Sequence, residues 1–333
     1  MISRGIRSIG LAAALATLTI LVGARTTMDI KLQPLAVNSA ASLTRVQLVS
    51  QSGLHLLAAS RNQVVMLSNL SGPIDSRPAF QVTSGIEIST WEAQGIAGGK
   101  FSWIYTEAGS AVNWVMTRAT GEEGTRVHSE GFAVYTAPHY VRGQRSEGLI
   151  TAIHHDGGRA RVKLFDRRSP KEFAPSRPVD EERTAITDAR LLRDSSGFWL
   201  LLLLPADGAV TNPQPRKTGT GTRMPGMAEA IRLDPKLKAT GLPIRLFGGL
   251  PVYEFDAATA GDQRIVIFAT TAAGAVAAVG VSPSELVFKE TPIQPALASP
   301  TLLVEEQTAH LAAIADLGGN RAAVVYGSIH LER

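Results

Sequence analysis

Residues 148–165 read GLITAIHHDGGRARVKLF, two apolar-rich runs around an Asp-Gly-Gly turn. Strand-length runs flanking such a turn are the signature of a β-hairpin. Five further stretches share the shape: 54–68, 100–118, 197–234 with a gap, 263–281 and 310–328. Their turns centre near Arg61, Ala108, Asp156, Asp207, Ala273 and Gly318, at spacings of 47, 48, 51, 66 and 45 residues. The one long spacing holds AVTNPQPRKTGTGTRMPG (209–226), whose Pro, Gly and Thr content marks an exposed insertion.

A further strand candidate precedes each hairpin, as in residues 42–53, 86–99, 137–148, 186–197, 250–261 and 299–310. A more polar one follows, as in 78–84, 124–130, 242–248 and 285–293. Four strands in a repeat of about this length form a β-propeller blade. The expectation is therefore an all-β, six-bladed propeller of four-stranded blades in a single domain, residues 25–333. The sixth unit ends after its third strand. The strand candidate at 28–37 would pair there, closing the ring and covering an edge. The alternative, two tandem β-sandwiches, predicts no constant repeat.

The chain begins MISRGIRSIGLAAALATLTILVGARTT. Arg4 and Arg7, a short apolar run and the small residues to Ala24 form a signal-peptide pattern over residues 1–24. The expected location is periplasmic or secreted, the alternative being an uncleaved N-terminal membrane anchor. No span is expected in the mature chain, because no later apolar run reaches the length needed. The formal charge of +4 falls to +2 without Arg4 and Arg7, and no basic run exceeds Arg167-Arg168. That excludes a nucleic-acid footprint. Cysteine is absent, which excludes disulfides, thiolate catalysis and cysteine-held metals.

Tips of rigid hairpins collect binding groups. The candidates are Glu107, His154, His155, Asp156, Arg159 and Asp316 at the tips, with Arg61, Asn62 and Asn320. Arg216, Lys217 and Arg223 come from the insertion, and Tyr253, Tyr135, His139 and Tyr140 from joining segments. His154 and His155 point to opposite sides of a strand, so the His-His-Asp trio reads as turn decoration. Glu92, Asp188, Glu254 and Asp256, with Glu305, fall on the leading strands, which line a propeller's channel. They are the weak metal candidates. No cofactor is expected, and Ca²⁺ is the ion that converging oxygens would suit.

The meander resembles the sialidase-like and related six-bladed propellers of secreted bacterial proteins. RDSSGFW (193–199) holds the Asp, Gly and Trp of their Asp-box turn at a different spacing. The resemblance implies a fold and carries no catalytic residue across. The expected function is an exported, monomeric binding module. It would hold a protein or glycan partner on the face bearing the tips and the insertion. One alternative is a glycosidase- or lactonase-like hydrolase using channel carboxylates. It requires three or more of them to converge without being salt-bridged. The other is a structural subunit of an envelope complex, which would need an exposed apolar patch.

Overall fold

The computed structural model describes residues 32–35, 43–59, 63–71, 73–81, 88–96, 100–107, 115–119, 125–127, 134–169, 172–206, 216–218, 221–261, 264–271, 274–280, 287–291, 297–318 and 321–331. Among these, every regular element is a strand apart from one 3-10 turn, Leu246–Gly249. No helix of the described residues is long and apolar enough to cross a membrane. The leader reading falls on residues 1–24, outside the described residues.

Short apolar runs between turn residues fold as antiparallel meanders. Sheet I is Arg45–Ser50, Leu54–Ala59, Gln63–Ser68 and Asp75–Gln81. Sheet II is Ile88–Ile96, Lys100–Glu107, Val115–Ala119 and Thr125–Val127. Sheet III runs Val134–Tyr140, Leu149–Asp156 and Arg159–Ser169, with Glu172–Phe173 and Arg177–Arg183 both on its third strand. Sheet IV is Asp188–Arg193, Phe198–Pro205, Gly226–Leu233 and Ile244–Arg245. Sheet V is Val252–Ala260, Arg264–Thr271, Gly274–Gly280 and Val287–Thr291. Sheet VI orders Leu297–Glu305, Thr308–Gly318, Arg321–His330 and the N-terminal Gln33–Pro34.

Three features depart from the sequence reading. Sheets IV and V fuse into one nine-stranded sheet through a single pairing, Gly226 with Val252. The insertion holds a small hairpin, Arg216–Thr218 with Gly221–Arg223. The segment after the leading strand of sheet III, read as a turn, is a strand, Arg142–Gly143. It pairs in parallel with the leading strand of sheet IV. Gly143 permits this crossing. Its φ is +116°, and a Cβ there would strike the carbonyl oxygen of Arg193.

Of the segment 28–37, residues 32–35 are described, and in them Gln33 lies opposite Tyr326 and Pro34 opposite Val325. Leu35 N–H adds a bond to Val324 O at 2.8 Å.

The strands are buried on both faces because sheets stack face to face. Leu200, Leu201, Leu202 and Leu203 are all at most 1% exposed. Their alternate side chains enter two different cores, toward sheet III and toward sheet V. Leading strands touch the leading strands of neighbouring sheets, and Arg45–Ser50 touches both Ile88–Ile96 and Leu297–Glu305. A common axis thus runs between their free inner edges.

Candidate functional site

One position recurs at the same level of every leading strand: Gln47, Glu92, His139, Asp188, Asp256 and Thr301. The intervals are 45, 47, 49, 68 and 45 residues, tracking the hairpin repeat. All six are polar, and all but Asp188 are buried. Their chemistry follows from the backbone. An inner edge has N–H groups without strand partners, and buried donors must be satisfied. Gln47 accepts from Ala93 N and donates to Ala93 O, both at 2.7 Å. Glu92 accepts from Tyr140 N at 3.1 Å, Asp256 from Leu302 N at 2.8 Å, and Thr301 Oγ1 from Leu48 N at 3.0 Å. Each bond crosses from one sheet to the next.

The charged members close into a cycle. Glu92 Oε2 lies 2.8 Å from His139 Nδ1, and His139 Nε2 lies 3.0 Å from Asp188 Oδ1. Arg190 joins Asp188 at 2.7 Å to Asp256 at 3.1 Å. Arg142 then joins Asp256 to Glu92, each at 2.9 Å. Both imidazole nitrogens of His139 lie within hydrogen-bonding distance of a carboxylate. Three carboxylates thus face two guanidinium groups and one imidazole.

Arg142 is the hub. The parallel Arg142–Gly143 strand carries it across the axis, where it also donates to Ala257 O at 3.1 Å and Leu302 O at 2.8 Å. Sequence reasoning placed Glu92, Asp188 and Asp256 on the axis and named His139 as a joining residue. It missed Arg142, Arg190 and Arg45. The signal available for Arg190 and Arg45 was their place two residues from the repeated polar position.

Burial alone would raise the pKa of Glu92. The guanidinium of Arg142 and the bond to His139 more than reverse this and hold it well below the usual carboxylate range. For Asp188 burial is likewise outweighed, by Arg190 and then His139. A carboxylate with a depressed folded pKa contributes stability above its unfolded pKa and loses it as pH falls toward the folded one. Ordinary values here are 4.5 and 3.8. The urea midpoint should therefore fall as pH is lowered from about 5 to about 2. A flat profile across that interval would contradict the ion-paired ring.

Arg45 stands apart. It lies at the N-terminal end of its leading strand, toward the hairpin tips, with its guanidinium 5.6 Å from the Trp91 ring centroid. Burial and then Arg190 lower its pKa, against the attraction of Glu92, Asp188 and Glu254. It makes no hydrogen bond or ion pair among the described residues. On the same side, Arg223 Nε from the insertion hairpin lies 3.4 Å from Glu254 Oε1, and Glu254 Oε2 accepts from Ser299 N at 2.7 Å.

The remaining candidates are not brought together with the ring. Asp156 and Arg159 pair across the tip of sheet III, with Gly157 and Gly158 turning at positive φ. His154 packs on Tyr135 at 5.0 Å, and His155 Nε2 bonds Thr136 Oγ1 at 2.8 Å. The two rings thus have separate partners. Arg159 pairs loosely with Glu182 at 3.6 Å. Tyr253 is buried, and Asp316 is exposed at the tip of sheet VI. Glu305 lies 3.8 Å from His310, outside the cycle. Glu107, Arg216 and Lys217 lie on strands whose side chains there fall outside the described residues, as do Arg61, Asn62 and Asn320 entirely. No group of three or more His, Asp or Glu side chains among the described residues could hold a metal ion.

No family model and no curated protein matches this chain. Solved structures do match in fold. A protein of unknown function from Dyadobacter fermentans DSM 18053 superposes with a TM-score of 0.58 at 9% identity. The match covers 87% of this chain and 95% of that one. The Trypanosoma rangeli sialidase in complex with the inhibitor DANA gives 0.55 at 8% identity, covering 87% of this chain and 55% of the sialidase. The chain thus spans about half the length of that enzyme. At such identities the likeness is one of fold: all-β, with curled sheets of the propeller type found in sialidases.

Proposed function

We propose that the protein is an exported six-bladed β-propeller, its ring closed by the N-terminal strand beside residues 321–330. It works as a binding module and holds a protein or glycan partner through acidic groups, on the face bearing the hairpin tips and the 209–226 insertion. Arg45 carries this reading. It makes no ion pair among the described residues, is braced against Trp91, and lies on the same side as Glu254, which the insertion's Arg223 pairs. A guanidinium so placed recognises carboxylates well.

The test is binding of a soluble polyuronate, against neutral dextran, by isothermal titration calorimetry. Arg45→Ala removes one charged hydrogen-bonding group, worth about 1.5–3 kcal/mol, or roughly ten- to a hundred-fold in Kd. Among the described residues Arg45 makes no hydrogen bond or ion pair, so the urea midpoint should fall only by the loss of its packing on Trp91, about 1 kcal/mol or less. Equal binding by the variant, or no preference for the acidic polymer, would overturn the proposal.

The likeness to a sialidase supports, at the level of fold, a second reading as a hydrolase. The ion pairing of Glu92, Asp188 and Asp256 speaks against their serving as its acid or nucleophile. Glu254, on the insertion side, is engaged in the same way, by Arg223 and by Ser299 N.

A further inference from the structure

The ionic ring divides the axis, and its other side is not solid. At the C-terminal ends of the leading strands lies a cavity of about 380 Å³, within the range of small-molecule pockets. Its floor is the far side of the ring. Gln47, Glu92 and Arg142 of the ring region line it, and Arg142 is more accessible than Glu92, with 20% of its side chain exposed against 3%. Five N–H groups belong to a guanidinium. Nη1 serves Asp256, Ala257 O and Leu302 O, and Nη2 serves Glu92 once. Nε–H and one Nη2–H therefore have no acceptor among the described residues.

The walls supply complementary groups. Ser50, Gln94 and Thr259 line the cavity, and their side chains make no hydrogen bond among the described residues. Each can both donate and accept. Val49 and Leu303 add apolar surface between them. The charge balance decides what fits. Three carboxylates against two guanidinium groups and one imidazole leave the ring no net positive charge, so Arg142 offers donors without a net positive field. An anion entering here would meet Glu92 and Asp256 immediately behind the guanidinium.

We infer that this cavity is a binding site for a small uncharged polyhydroxy molecule, of monosaccharide or disaccharide chemistry. One oxygen accepts from Arg142. Other hydroxyls exchange bonds with Gln94, Ser50 and Thr259, and the C–H face rests on Val49 and Leu303. The site lies across the ring from Arg45 and does not depend on the acidic-partner reading.

The probes are methyl glucoside, maltose and sodium acetate, followed by saturation-transfer NMR and calorimetry on the full chain. A neutral sugar should bind and acetate should not. Thr259→Val removes one hydroxyl at nearly constant volume and should weaken the sugar about three- to tenfold. Gln94→Trp should fill the cavity and abolish binding. Both variants should keep the parent's urea midpoint and its response to polyuronate, which separates this site from the Arg45 face. Failure of both sugars to bind, binding of acetate in their place, or sugar affinity unchanged in both variants would each overturn the inference.

Discussion

Arg142→Ala should cost about 3–5 kcal/mol of folding stability, the penalty for removing one partner of a buried ion pair. The loss of Arg142 takes the same cation from Glu92 and from Asp256, both carboxylates being 3% exposed. It also leaves Ala257 O and Leu302 O without their donor. Water entering through the cavity would relieve part of this, which places the expectation inside the quoted range. Urea denaturation at neutral pH measures it. Pairing the substitution with Asp256→Asn in a double-mutant cycle should show strong non-additivity, because one bond is counted in both single variants. A loss below about 1 kcal/mol, typical of an exposed pair, would mean that the cycle does not hold the leading strands together.

The second large effect lies between sheets I and II. Trp103 is 2% exposed and packs with Trp91 at 5.5 Å and Phe101 at 6.0 Å between ring centroids. Val49, Leu57 and Met66 of sheet I complete that core. Trp103→Ala should destabilise by about 3–5 kcal/mol, through lost transfer energy and the void left behind. It also removes the support under Trp91, and hence under Arg45. Binding of polyuronate should weaken in this variant even under conditions where it remains folded. Trp103→Phe, which keeps an aromatic in the core, should restore most of both properties. A stability loss with unaltered ligand affinity would separate the core from the Arg45 site.

The meanders were readable because hairpins write themselves as apolar runs around glycine-rich turns, and the repeat multiplies a weak local signal. The leading strands could be aligned the same way, so Glu92, Asp188 and Asp256 were expected near one axis. Their partners were not readable. Arg142 sits in a segment whose Gly-Gln-Arg-Ser-Glu-Gly composition signals a turn. Only its parallel pairing with Asp188–Arg193, a long-range event, carries it inward. Arg190 is an ordinary alternating residue of its strand until Asp256 arrives from the next sheet. Periodicity says that a residue lies on an inner strand. It does not say which charge from another sheet will meet it. The fusion of sheets IV and V was equally silent, resting on one pairing at Gly226.

The ring also bears on how the chain assembles. Its charged members come from sheets II, III, IV and V, with sequence separations of up to 164 residues between Glu92 and Asp256. Any intermediate with two or three of those sheets docked would present half-neutralised charges to a partly dehydrated surface. Such species are costly, so the region should fold and melt as one cooperative unit, with few populated partial forms. In native-state hydrogen exchange, the amides of Tyr140, Ala189, Ala257 and Leu302 should then open together, at a single free energy shared across four different sheets.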